Sequence, residues 1–199
     1  MDWSRHMTWV FDLDGTLTVP VHDFAYARRV LGIDPSEDIL GALARRTPER
    51  RRVDEDWLRA WELELAAETS AQVDAVELVA HLGRAGVRMG VLTRNTREVA
   101  LRTLEAIGMD GLFHPDHVLG RACAAPKPHP EGLIEVVRRL GGTPERSVML
   151  GDYLHDVRAG RAAGAATVLV RRKGELGWDD EADLVVESLW PLRATLPGE

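Results

Sequence analysis

The feature that most limits what this chain can become is a recurring unit, a short apolar run, a turn signal, then a helical pattern. The runs are Thr8 to Phe11, Val87 to Leu92, Ser147 to Leu150 and Ala166 to Val170. Apolar runs this short, bounded by turns, are strands buried on both faces. Between them, Thr96 to Ile107, Pro130 to Leu140 and Asp156 to Ala163 carry apolar residues at helical spacing. Each stops at a glycine, Gly108, Gly141 or Gly164, suited to a left-handed helix end. Asn95 followed by Glu98 predicts a reciprocal cap at the start of the first of these helices, and Pro130 is expected at the first position of the second. Alternation of this kind requires crossovers, so the expected fold is α/β, a parallel sheet with helices on its faces.

One segment departs from the alternation. From about Thr18 to Ser70 there is no strand pattern, only helical stretches at Asp23 to Leu31, Glu37 to Arg46 and Glu49 to Glu68. The expected organisation is therefore a core of residues 1–17 and 71–199 interrupted by a helical insertion of residues 18–70. Trp57, Trp61 and Leu65 repeat every four residues with Leu58 beside them, while Glu62, Glu64 and Glu68 are assigned to the other faces. That stripe is expected to pack the insertion's own core. Arg45, Arg46 and Arg50 to Arg52, followed by Asp54, Glu55 and Asp56, form a self-compensating solvated face.

The chain has 199 residues with 45% hydrophobic and 29% charged, enough for one sizeable core. Its formal net charge of -7 repels polyanions, so nucleic acid and anionic membrane surfaces are not expected partners. The single cysteine, Cys123, cannot form an internal disulfide and is expected to be a small packing residue. Met1 to Val10 lacks the apolar run of a secretory signal, and a cytoplasmic location is expected.

The chemistry-bearing residues gather at strand ends, where open parallel sheets bind ligands. After the first strand come Asp12-Leu13-Asp14-Gly15-Thr16, two carboxylates two residues apart and facing the same way. Such a pair fits a divalent metal site, a nucleophile with a general acid, or an acidic turn that caps a helix. A second acidic strand end, Gly151-Asp152 with Asp156, strengthens the metal alternative. If the two strands are neighbours, Asp12 and Asp152 can share a hard cation, and oxygen ligands with open positions suit Mg2+. Asp156 has three open roles: direct ligand, support behind the ligands, or cap of the following helix. Thr93 offers a hydroxyl at another strand end, and Lys127, between Pro126 and Pro128, offers a point cation for a phosphoryl group. His22 is expected to be a hinge histidine bonded to local backbone, and His129 and His155 flank the acidic and cationic positions.

Together these pieces resemble the haloacid dehalogenase superfamily of phosphohydrolases over nearly the whole chain. Asp12-Leu13-Asp14-Gly15-Thr16 is similar to its first motif, Thr93 to its second, Lys127 to its third, and Gly151-Asp152 with Asp156 to its fourth. The insertion resembles the small helical cap of the phosphoglycolate phosphatase and beta-phosphoglucomutase branch. The resemblance implies a three-layer Rossmann-like core and a cytoplasmic, Mg2+-dependent phosphatase acting on a small phosphorylated metabolite. It makes Asp12 the nucleophile that forms an aspartyl-phosphate and Asp14 the general acid and base. Asp12, Asp152 and the carbonyl of Asp14 become metal ligands, while Thr93 and Lys127 hold the phosphoryl oxygens. Dehalogenation is not expected, because members that cleave carbon-halogen bonds lack a carboxylate at the position of Asp14.

Arg94 departs from the family pattern, which has a small or amide residue there. It is a candidate substrate-binding clamp for a second anion, with solvent as its expected direction. Two rivals to the hydrolase are a phosphomutase using the same residues and a phosphate-binding regulatory protein without turnover. The intact Asp12, Asp14, Lys127 and Asp152 argue against the last.

Overall fold

The computed structural model describes residues 7–172 and 177–195. Residues 1–6, 173–176 and 196–199 of the expected core, and with them most of the opening segment weighed as a signal, lie outside the described residues.

The four apolar runs are strands, and two short ones join them. In chain order the strands are β1 (Thr8–Phe11), β2 (Arg88–Leu92), β3 (Val118–Leu119), β4 (Ser147–Gly151), β5 (Ala166–Val170) and β6 (Leu184–Val186). The helices are α1 (Phe24–Leu31), α2 (Ile39–Ala44), α3 (Pro48–Glu68), α4 (Val73–Arg84), α5 (Arg97–Ala106), α6 (Glu131–Arg139) and α7 (Leu154–Ala163). Among the described residues the strands form one parallel sheet in the order β3-β2-β1-β4-β5-β6. This is the doubly wound, Rossmann-like order, and the chain reverses its direction of travel across the sheet between β1 and β4.

The period of two along each strand divides the core. Trp9, Phe11, Val148 and Leu150 face α4 and α5, meeting Leu78, Leu82 and Leu104. Val10 and Met149 face the opposite way, onto Leu133, Val136 and Val137 of α6. Residues 8–11 and 147–151 are buried throughout, as expected of strands covered on both faces. Helices α5, α6 and α7 are followed by Gly108, Gly141 and Gly164 at φ +70°, +67° and +83°, the left-handed stops expected from the sequence.

Two helix starts differ from expectation. Helix α5 is capped by Thr96, whose hydroxyl accepts from the Val99 amide. Asn95 is thereby free for another role. Pro130 is the cap residue before α6, one position earlier than predicted.

Helices α1 to α3 enclose a separate small core containing Leu31, Leu43 and Leu58, with Trp57 and Trp61 packed against it. The two tryptophan rings are stacked, with centroids 5.9 Å apart. The row of α3 that is fully buried is Asp54, Leu58, Glu62 and Ala66, so Glu62 belongs to the inward face and not to the outer ones. The arginine-rich stretch is paired as expected, Arg46 and Arg50 with Asp54 and Arg51 with Glu55, but it is not wholly solvated, since Asp54 is buried where α3 packs on the small core. This helical segment leaves and rejoins the sheet domain at one place. Thr18 and Ala71 form an antiparallel bridge, the Val19 amide donates to the Ser70 carbonyl, and the Gln72 amide donates to the Leu17 carbonyl.

Cys123 is exposed, in the loop after β3, and does not serve core packing. No helix among the described residues is long and apolar enough to cross a membrane.

Candidate active site

Because β1 and β4 are adjacent, their carboxyl ends bring the two acidic motifs together. The Asp12 amide continues the ladder, donating to the Leu150 carbonyl at 2.8 Å. Its carboxylate is buried beside Lys127, whose Nζ lies 2.5 Å from Asp12 Oδ1 and 2.6 Å from Asp156 Oδ1. Lys127 is only 2% exposed, so the ammonium is held by these two carboxylates and not by water. Asp12, Asp152 and Asp156 each offer a carboxylate oxygen, all within 4.8 Å of one another. An oxygen-only set of this kind fits a hard divalent cation.

Two glycines make the crowding possible. Gly15 has φ +82°, and a Cβ there would lie 2.0 Å from Asp152 Oδ2. A Cβ on Gly151 would lie 2.2 Å from Asp156 Cγ. Asp156 is the third residue of α7 and accepts from the Tyr153 amide at 3.0 Å, so it combines the capping role with the charge partner of Lys127.

Asp14 turns away from that cluster. Its Oδ2 accepts from Asn95 Nδ2 at 2.8 Å, and its Oδ1 lies 3.7 Å from His22 Nδ1. His22 is thus not bonded to local backbone. It stacks on Phe24 with ring centroids 5.3 Å apart, edge-on to Trp61, because the aromatic side of the insertion folds over the end of β1. Thr93, 2% exposed, follows β2, and its hydroxyl oxygen accepts from the Asn95 amide at 3.1 Å. The hydroxyl proton is left to donate.

Burial dominates the protonation of the acids. It raises Asp12 to about 6, opposed by Lys127 and reinforced by Asp156. It raises Asp14 to about 8, with Asp12 and Glu62 adding to the effect. Burial also pushes Asp152 well above the usual carboxylate range, with Asp12 and Asp156 adding to it. Lys127 is raised: desolvation would lower it, and the Asp12 and Asp156 carboxylates outweigh that. His155 is lowered to about 4 by burial and by Arg94. Four carboxyls, Asp12 and Asp156 buried and Asp14 and Asp152 half-buried, against one ammonium make a site that gains from a bound cation.

Arg94 does not point to solvent. Its guanidinium donates to the Lys127 carbonyl at 2.7 Å and pairs with Asp38, the residue that caps α2. Between the sheet and the helical segment lies a cavity of about 530 Å³, lined by Asp12, Asp14, Thr93, Lys127 and Asp152 on one side and by Phe24, Asp38, Leu58 and Glu62 on the other. The structure therefore unites Asp12, Asp14, Thr93, Arg94, Lys127, Asp152 and Asp156 in one place.

Asn95, Glu62 and Asp38 are site residues that the sequence argument missed. Asn95 was assigned to a helix cap that the adjacent Thr96 fills instead. Glu62 sits in a four-residue-spaced row with Leu58 and Ala66, and a carboxylate inside such a row was the available signal. Its partner Arg121, 2.7 Å away, comes from a loop that sequence spacing cannot connect to it.

The family model described as haloacid dehalogenase-like hydrolase matches residues 6–164. A haloacid dehalogenase-like hydrolase domain-containing protein of Arabidopsis thaliana is 32% identical over 90% of this chain and 79% of its own length. The N-acetylmuramic acid 6-phosphate phosphatase of Pseudomonas aeruginosa is 29% identical over 81% of this chain and 80% of its own. The crystal structure of a predicted phosphoglycolate phosphatase from Haemophilus somnus superposes with a TM-score of 0.73 at 19% identity, covering 94% of this chain and 96% of that one, a likeness of fold. With four ordered motifs brought to one crevice and a family match over most of its length, the chain belongs to the haloacid dehalogenase-like hydrolases.

Proposed function

We propose that the protein is a Mg2+-dependent phosphatase that hydrolyses a small phosphate monoester through an aspartyl-phosphate on Asp12. The observation that carries this reading is the meeting of Asp12, Asp14, Thr93 and Asp152 at the carboxyl ends of β1, β2 and β4 with Lys127 from the segment after β3, around a cavity large enough for a metabolite.

A carboxylate oxygen of Asp12 attacks phosphorus, and the bond to the leaving oxygen breaks. Lys127 Nζ and the Thr93 hydroxyl hold the phosphoryl oxygens and offset their charge. Asp14 gives its proton to the leaving oxygen, then takes one from the water that attacks the aspartyl-phosphate. Asn95 fixes the Asp14 carboxyl at the start of this sequence, with the His22 ring beside it. Asp12, Asp152 and the Asp14 carbonyl would hold Mg2+, with Asp156 behind them, and the ion would supply charge neutralisation at the phosphoryl group. Residues 18–70 serve as the cap that closes the leaving-group side.

The test is inorganic phosphate release from a panel of phosphorylated metabolites, with and without Mg2+, for the parent and for Asp12→Asn. The parent is expected to release phosphate in step with substrate loss and only with the metal. The folded Asp12→Asn protein should show no measurable turnover, because the amide keeps the shape and removes the nucleophile. Comparable activity in that variant would sink the mechanism. Substrate loss without phosphate release, with an isomeric sugar phosphate accumulating, would replace hydrolase by mutase.

A further inference from the structure

The cavity has a phosphoryl end, used above, and a leaving-group end whose chemistry is different. Among the described residues that line it, three are cationic at neutral pH, Lys127, Arg94 and Arg28, and each is committed within the protein, while the fourth basic side chain, His155, lies 3.9 Å from Asp38 and is lowered to about 4 by burial and by Arg94. Lys127 belongs to Asp12 and Asp156. Arg28 donates to the Glu37 carbonyl at 2.9 Å and to the Phe24 carbonyl at 3.4 Å. Arg94 donates to the Lys127 carbonyl and to Asp38 Oδ1.

Arg94 is the one guanidinium near the phosphoryl site that could receive a second substrate anion. Asp38 already occupies that position. The other Asp38 oxygen accepts from the Gly41 amide at 2.8 Å, so the carboxylate is fixed by the start of α2 and not merely resting on the arginine. On the opposite wall Glu62 is 5% exposed and faces the cavity, with Arg121 behind it at 2.7 and 2.9 Å. The Phe24 ring, half exposed, lines the same end. Carboxylates receive hydroxyl donors, and an aromatic face packs against the C–H surface of a polyol.

We propose that Asp38 and Glu62 make this cavity select phosphate monoesters whose leaving group is uncharged and bears hydroxyls, and reject those carrying a second phosphate or a carboxylate. Asp38 acts by holding Arg94 away from an incoming anion, and Glu62 acts by keeping Arg121 neutralised and by accepting from hydroxyls. The inference rests on the phosphatase reading and concerns only what is attached to the phosphate.

Two matched pairs test it: sn-glycerol 1-phosphate against 3-phospho-D-glycerate, and sorbitol 6-phosphate against 6-phosphogluconate. Within each pair a terminal CH2OH is exchanged for a carboxylate on one carbon skeleton. The parent protein is expected to have a kcat/KM at least about tenfold higher for the neutral member of a pair, since a like charge placed against a carboxylate is strongly disfavoured. Asp38→Asn keeps the helix cap while discharging Arg94's partner, and should compress that ratio by roughly tenfold through a gain on the acid. Adding Arg94→Gln to Asp38→Asn should remove the gain. Glu62→Gln is the second variant and should compress the ratio too, which keeps the test decisive if Asp38→Asn does not fold.

An acid preferred by the parent, or an unchanged ratio in a folded Asp38→Asn or Glu62→Gln protein, overturns the selectivity and leaves the phosphatase intact. Absence of phosphate release from every member, and from the wider panel, overturns the phosphatase reading and this inference with it.

Discussion

Lys127 shows how much one side chain is asked to do here. Its ammonium is the shared counter-ion of Asp12 and Asp156, and it sits where a phosphoryl oxygen would also be held. Lys127→Ala should therefore abolish turnover and, in metal-free buffer, cost about 3 kcal/mol of stability, because two buried carboxylates lose their partner. Urea unfolding with and without Mg2+ checks this, and added metal should restore part of the loss. Asn95 acts on a single atom, Asp14 Oδ2. Asn95→Ala is expected to lower kcat about tenfold or more on an alkyl phosphate and much less on an aryl phosphate, whose leaving oxygen needs little protonation. Equal losses on both would separate Asn95 from the proton-transfer step. At this scale the sequence was informative where a residue's chemistry is unusual for its position. Adjacent acids after an apolar strand, and a lysine fenced by prolines, have few bland explanations when they occur together. Asn95, Asp38 and Glu62 were illegible for the opposite reason. Amides and acids near helix ends are common, and only the packing of α3 against the loop after β3 gives Glu62 its partner Arg121.

Among the elements, the four long strands could be located from the sequence because burial on both faces writes itself as an apolar run, and α1 to α3 and α5 to α7 from their helical spacing, whereas α4 is absent from that reading. Strands β3 and β6 could not. Val118–Leu119 and Leu184–Val186 are too short to carry a period, and each exists because a neighbouring strand end offers it hydrogen bonds. Helix α4 has a polar anchor that the apolar pattern also concealed. Asp74, near its start, accepts from Arg172 at 3.0 and 3.1 Å and from the Leu189 amide at 2.8 Å. The same arginine donates to the Gly15 carbonyl at 3.2 Å, joining α4 to the turn after β1. Burial alone would raise Asp74, and the bonds from Arg172 and the backbone amides outweigh it, leaving the carboxyl below its ordinary 3.8. A group lowered in the folded state stabilises fully above that ordinary value, and its contribution fades as pH falls through the folded one. Asp74→Asn is thus expected to cost about 2 kcal/mol at neutral pH and progressively less as pH falls below the ordinary 3.8, with the parent and variant curves converging in acid. Parallel curves across that range would assign the loss to shape and not to charge.

For the whole molecule, the active site belongs to two bodies of packing, the sheet with its helices and the small core of α1 to α3. Among the described residues, three arginine–carboxylate pairs cross between them: Arg59 with Glu98, Arg94 with Asp38 and Arg121 with Glu62. Yet the chain passes from one to the other only at the Thr18 and Ala71 bridge, where departure and return lie side by side. In the grammar of the chain the insertion is a parenthesis. Its opening and closing marks touch, so the sentence around it stays grammatical whatever is written inside. Joining Thr18 to Ala71 through an Asn-Gly turn should give a shorter protein that still folds, since the bridge already has the form of a hairpin end. Circular dichroism and a cooperative melt would check the fold. That protein would keep Asp12, Thr93, Lys127 and Asp152 together but lose Phe24, Asp38 and Glu62, and with them any preference among leaving groups. On the proposed reading the sheet would supply the reaction, and the parenthesis would be free to change which molecules undergo it without rewriting a single strand.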